Sequence, residues 1–161
     1  MIVLVAFPIE NMITNFSTPE IAFKYIMGND RVVQIVDGEQ SSFVIGEKQD
    51  SYIYLILPKS DDGWEIDYGL NTKMIMHKFV DNLVIHVYQY KNSSEFYLTI
   101  LNIDGGYMDV SDSIGTEFVK IEKTNDSINK TFVTYYAYIP NFNSQYQITV
   151  NNTIVELNTN Q

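Results

Sequence analysis

The chain has 161 residues, 45% of them apolar and 14% aromatic, which is enough for one domain with a proper core or at most two small subdomains. Twenty acids against ten Lys and Arg give a formal charge of -10, and that sign repels phosphate backbones and anionic headgroups, so neither nucleic acid nor a peripheral membrane surface is an expected partner. There is no cysteine, which excludes disulfides, thiolate metal sites, cysteine nucleophiles and a lipobox attachment.

Residues 1–16 form an apolar N-terminal segment. Its run Ile2 to Phe7, followed by Pro8 and Ile9, is too short to span a membrane and lacks the basic flank of a signal peptide. Two readings stay open: a segment that packs on the domain, or the last part of an anchor or signal sequence. The stretch STPEIAFKYIMGN then predicts a helix. Thr18 caps its free N–H groups, Pro19 suits the first helical position, Glu20 favours the positive dipole end and Gly28 stops it. Ile21, Ala22, Tyr25 and Ile26 are expected on its packed face.

From Arg31 onward, short apolar runs alternate with turn residues about every ten positions, the rhythm of an antiparallel sandwich or barrel. Asp37-Gly38 is expected to make a two-residue hairpin, because both residues tolerate positive φ. Asp61 to Gly63, Asn92 to Ser94, Asp104 to Gly106 and Asn125 to Asn129 mark further breaks, giving about eight or nine strands. Tyr68 to Asn71 offers a weak subdivision of the domain spanning 17–161. In KMIMHKFVDNLVIHVYQY a turn at Asp81-Asn82 pairs Val80 with Leu83, Phe79 with Val84 and His77 with His86, placing both histidines on a face with Ile75, Phe79, Val84 and Tyr88.

The tyrosine-rich end, TFVTYYAYIPNFNSQYQITVNN, is expected to form a hairpin. Alternation puts Tyr146, Ile148 and Val150 on the buried side of one strand. On its partner the set Val133, Tyr135, Ala137 and Ile139 is the better core face, which leaves Tyr136 and Tyr138 as a row able to present flat rings to a sugar or peptide. The plainer reading is that tyrosine, a strong strand former, covers apolar surface there.

Motifs for catalysis are absent: there is no Gly-rich phosphate loop, no GxSxG and no HExxH. No motif asks for a cofactor. Asp104, Asp109 and Asp112 carry oxygen ligands suited to a hard cation, without the EF-hand spacing, and read first as a solvated turn. His77 and His86, if paired, are close enough to share a transition-metal ion, against the plainer reading of two neutral packed imidazoles. Asp61, Asp62 and Glu65 around Trp64 suggest a glycosidase-like acid pair, although Asp-Asp-Gly is foremost a turn. The glycosylation sequons at Asn15, Asn92, Asn125, Asn129 and Asn151 are what a chain rich in Asn, Ser and Thr produces by chance.

The segments TPEIAFKYI, DDGWEI, VYQYKNSSEFYL, TYYAYIPNF and QYQITVNN resemble small, uncharacterised cell-envelope proteins of low-GC Gram-positive bacteria, lipoprotein-like or N-terminally anchored. The resemblance implies an extracytoplasmic place and a partner that is a protein or carbohydrate of the envelope, and it brings no catalytic residues. TPE and AF before a sheet with DGWEI are also similar to NTF2-like domains, which need more helix. The expectation is a mostly β, antiparallel β-sandwich-like domain with one short N-terminal helix, against an α+β, NTF2-like or cystatin-like alternative. Its expected work is binding, against a small wall-glycan hydrolase or a structural subunit recognised through an edge strand.

Overall fold

The computed structural model describes residues 15–157 except 29, 50, 67–71, 92, 141 and 144. The run Ile2 to Phe7, the turn residue Asn92 and the subdivision at 68–71 lie outside the described residues. Asn15 and Phe16 form β1 (Asn15–Phe16) and pair with Glu65 and Trp64.

Chain order continues with α1 (Pro19–Met27), β2 (Arg31–Asp37), β3 (Ser41–Lys48), β4 (Ser51–Ser60), β5 (Gly63–Glu65), β6 (Thr72–Val80), β7 (Leu83–Tyr90) and β8 (Glu95–Asn102). It ends with β9 (Val110–Asp112), β10 (Val119–Asn125), β11 (Lys130–Pro140), β12 (Gln147–Val150) and β13 (Thr153–Glu156). The fold is mostly β, antiparallel and sandwich-like, with one short helix. Three sheets have the orders β1-β5-β4-β3-β2, β10-β11-β8-β7-β6 and β13-β12-β9.

These sheets stack. Helix α1 covers one face of the first sheet through Ala22, Phe23, Val44 and Leu57. The other face of that sheet meets the second through Phe43, Ile45, Ile56, Tyr88, Tyr97 and Tyr136. The second sheet's far side packs on the third through Leu83, Ile85, Val87, Leu98, Ile100, Val133, Ile148 and Val155. The second sheet is thus apolar on both faces, as a central layer must be.

Four expectations change. The helix buries Pro19, Ala22 and Phe23, whereas Ile21 and Tyr25 are exposed. The reason lies in the sheet, where Gly46 has no side chain and the Phe23 ring fills that space. Asp37-Gly38 is not a two-residue turn, since Asp37 pairs with Ser42 across a loop of 38–41. Strands β11 and β12 do not pair. Chain beyond Pro140 crosses to the third sheet, where β12 lies between β13 and β9, and the turn is made by Asn151 and Asn152, with φ of 48° and 67°, suited to a two-residue hairpin. Ile75, lastly, is the extra residue of a bulge between Met74 and Met76 and packs toward the third sheet, off the histidine face.

The other turn signals hold. Asp61-Asp62 closes Ser60 on Gly63, and Asp81-Asn82 closes Val80 on Leu83 with Asp81 at φ 52°. Thr18 caps the helix, its Oγ1 accepting from Ile21 N at 3.2 Å.

Candidate functional site

Register lays out the face of the second sheet that looks toward the first. One row reads Tyr88, Tyr97, Tyr138; the next His77, His86, Thr99, Tyr136; the next Phe79, Val84, Leu101, Thr134. The first sheet covers the tyrosine end. Phe43 stacks on Tyr97 at 5.1 Å and on Tyr54 at 5.5 Å, and Tyr54 stands 6.2 Å from Tyr136.

Toward the other end the two sheets part, and a cleft of about 620 Å³ opens between them. Its floor is Thr99, Leu101, Phe132 and Thr134; Tyr52 and Tyr54 on β4 form one wall, His86 stands at one side, and residues 124–127, running from β10 into its turn, form the rim. At the mouth Lys123 Nζ on β10 reaches Glu47 Oε1 on β3 at 3.2 Å and lies 5.4 Å from the Tyr52 ring centroid, tying the sheets together. Burial raises the Tyr54 hydroxyl above its ordinary pKa, opposed by the neighbouring Tyr136 hydroxyl; burial and then the Glu47 carboxylate raise Tyr52. Both phenols are therefore protonated at neutral pH and can donate to a ligand oxygen. The lining thus combines aromatic surface with hydroxyls and amides, the mix that small polar ligands use for packing and orientation.

Tyr136 and Tyr138 do not form an open row. Tyr136 is 0% exposed, sealed between the first and second sheets. Tyr138 is half-buried and lines a separate groove of about 480 Å³ beside Val36, Val119 and Pro140. An open row would need Tyr136 on a free face, but the sheet of β11 is the middle layer, and Val133 and Tyr136 are buried on its opposite faces.

The histidines do meet. His77 and His86 are cross-strand partners with ring centroids 4.8 Å apart and planes inclined by 25°. Phe79 sets its ring edge against His77 at 4.7 Å, and the Tyr88 hydroxyl lies 3.4 Å from His86 Nδ1. Burial lowers the His86 pKa, and the facing His77 lowers it further.

The three aspartates do not converge: among the described residues no group of three or more His, Cys, Asp or Glu is placed to hold a metal ion. Asp104 and Asp109 are exposed. Asp112 is taken up by the fold, its Oδ1 accepting from Ile114 N and Thr116 N and its Oδ2 from the Tyr146 hydroxyl at 2.6 Å. Burial works to raise its pKa, but these hydrogen bonds outweigh burial and hold the carboxyl below its ordinary value. Asp61 and Asp62 are exposed on their turn, and Trp64, which donates from Nε1 to Ser42 Oγ at 2.8 Å, leans on the helix-side core. None of Asp61, Asp62 and Glu65 lines the cleft.

The cleft residues Tyr52, Tyr54, Lys123 and Phe132 carry no motif. One signal was available: in SYIYLIL, alternation places Tyr52 and Tyr54 on a single face. That these rings would oppose β8 and β11 was not readable, because nothing local specifies how two sheets stack. Comparison with known proteins returns no matching family model, no matching curated protein and no matching solved structure.

Proposed function

We propose that this chain is a binding domain acting outside the cytoplasmic membrane, and that it takes a neutral, hydroxyl-bearing ligand such as a short envelope glycan into the inter-sheet cleft. The observation that carries the reading is the cleft itself: an open end of an otherwise closed sheet stack, with Tyr52, Tyr54 and Phe132 beside Thr99, Thr134 and the amide of Asn125. Aromatic faces complement the C–H surface of a sugar ring, while hydroxyls and amides match its polar edge. Location rests on the resemblance of the stretch from Thr18 to Asn152 to envelope proteins. A hydrolase draws no support from the geometry, since Asp61 and Asp62 stand on an exposed turn, Glu65 lies in β5, and none of the three lines the cleft.

The test is retention on purified cell-wall glycan fragments, with Tyr52→Ala and Phe132→Ala as cleft variants and Tyr138→Ala as a variant of the separate groove. The cleft variants are expected to lose binding by at least about tenfold, the scale of one stacking contact, with Tyr138→Ala unchanged. Equal retention by all four proteins overturns the cleft as the site. Fractionation of cells expressing the native gene, with the protein found in the cytoplasm, overturns the location.

A further inference from the structure

We propose that His77 and His86 form a two-imidazole chelate for a single divalent transition-metal ion, on the exposed edge of the second sheet and bordering the cleft through His86. The two residues are directly opposed on neighbouring antiparallel strands. Counting outward from the Val80 and Leu83 pair that closes the hairpin, they fall at a non-hydrogen-bonded position, where facing side chains come closest.

Their rings already lie side by side at 4.8 Å with a 25° inclination. A modest turn about each Cβ–Cγ bond brings one imine nitrogen of each ring to a common ion at about 2.0–2.1 Å, the ordinary zinc–imidazole distance. The Tyr88 hydroxyl beside His86 Nδ1 leaves His86 Nε2 as the natural ligand atom, with Tyr88 holding the ring from behind. Phe79, edge-on to His77, limits that ring in the same way.

Access and chemistry agree. β6 is an edge strand and His77 is exposed, so an ion enters directly from solvent. Imidazole selects the borderline metals zinc, nickel and copper over magnesium and calcium. The net charge of -10 draws cations toward the molecule. No third His, Cys, Asp or Glu completes the set among the described residues. Water fills the remaining positions, and the ion exchanges readily. Such a site differs from a closed structural zinc centre: it loads and releases metal without unfolding.

The test is a zinc titration at pH 7.5 followed on the imidazole nitrogens by long-range proton–nitrogen NMR. The expected result is that both histidines shift together and saturate at one equivalent, and that His77→Ala and His86→Gln each weaken binding by about tenfold or more, the gain that chelation gives over one ligand. As a second readout, copper(II) electron paramagnetic resonance should count two equatorial imidazole nitrogens in the parent and one in each variant. His77→Ala replaces an exposed side chain, so it remains informative even if His86→Gln disturbs packing. Shifts of one ring alone, or variants that bind zinc as tightly as the parent, overturn the chelate.

Discussion

A side chain on residue 38 has nowhere to go. An added Cβ would stand 2.5 Å from the Tyr97 hydroxyl and 2.8 Å from both Glu95 Oε1 and the Tyr138 ring, so the glycine of the Asp-Gly pair is required for close approach and not for positive φ. The loop it belongs to is docked on a buried carboxylate: Glu95 accepts from Gln40 N at 2.7 Å and from Ser41 Oγ at 2.5 Å, and the Tyr97 hydroxyl donates to the Ser41 carbonyl at 2.9 Å. Gly38→Ala is expected to cost about 1–3 kcal/mol through overpacking. Glu95→Ala should cost a similar amount, about 1–3 kcal/mol, because it strands the buried Ser41 hydroxyl and the part-buried Gln40 N–H. Denaturant melts of the single and double variants check both, and the double variant should cost less than the sum, since either change undocks the same loop. Thermal stability as a function of pH tests His86. Its pKa in the folded state lies below the ordinary 6.5 because burial and then His77 oppose its charge. Between 6.5 and that lower value the unfolded chain binds a proton that the folded one does not, so stability is full above 6.5 and falls as pH drops through this window. His86→Gln should flatten the fall; an identical pH profile in the variant would exclude His86 as its source.

Helix α1 shows how much of an element its own sequence specifies. Its limits were legible, because Thr18, Pro19 and Gly28 act on the backbone within a few residues. Its buried face was not, because Ile21, Ala22, Phe23, Tyr25 and Ile26 make nearly the whole surface apolar, and the choice falls to the partner sheet. There Gly46 opens a slot on β3 that the Phe23 ring occupies. Filling the slot should expel the helix: Gly46→Ala places a methyl into the ring and is expected to cost about 1–3 kcal/mol. Phe23→Ala should cost about 3–5 kcal/mol by leaving a cavity. Tyr25→Ala, at 62% exposure, should change little. Chemical denaturation of the three variants tests this order, and a Tyr25→Ala loss as large as that of Phe23→Ala would restore the other face as the packed one. The chain end teaches the same lesson. Asn151-Asn152 between QITV and TIVE is a local hairpin signal of the favoured kind, whereas the tyrosine-rich strand β11 pairs with β8 and β10 in another sheet.

At the scale of the molecule, the order of layers decides which surfaces are available for function. Alternation is a reliable guide only where one face is wet, and it held for Tyr146, Ile148 and Val150 on the outer sheet. On β11 the core face Val133, Tyr135, Ala137 and Ile139 is buried as alternation indicates, but Tyr136 on the opposite face is buried too, and the nearly continuous apolar run of β8, FYLTIL, is the sequence signature of that central position. The cleft has the same origin, since it is the part of the central sheet that the first sheet fails to cover. Two of the edge strands carry bulges: β2 has a register break between Val32 and Gln34, and β6 one between Met74 and Met76, and such bulges discourage a second chain from adding a strand there. This stacking predicts a gradient of local stability. β8 and β11 are hydrogen-bonded on both sides, to β7 and to each other and to β10, and are packed on both faces. Their amides are released only when the whole stack opens, so native-state hydrogen exchange should find them the slowest, close to the global unfolding free energy. β13 is an edge strand with an exposed outer side and α1 covers only one face of the first sheet; both should exchange through local opening at much lower cost. Measured protection that is uniform, or greatest in β3 and β4, would show that the first and second sheets open together and that the central layer holds no special place.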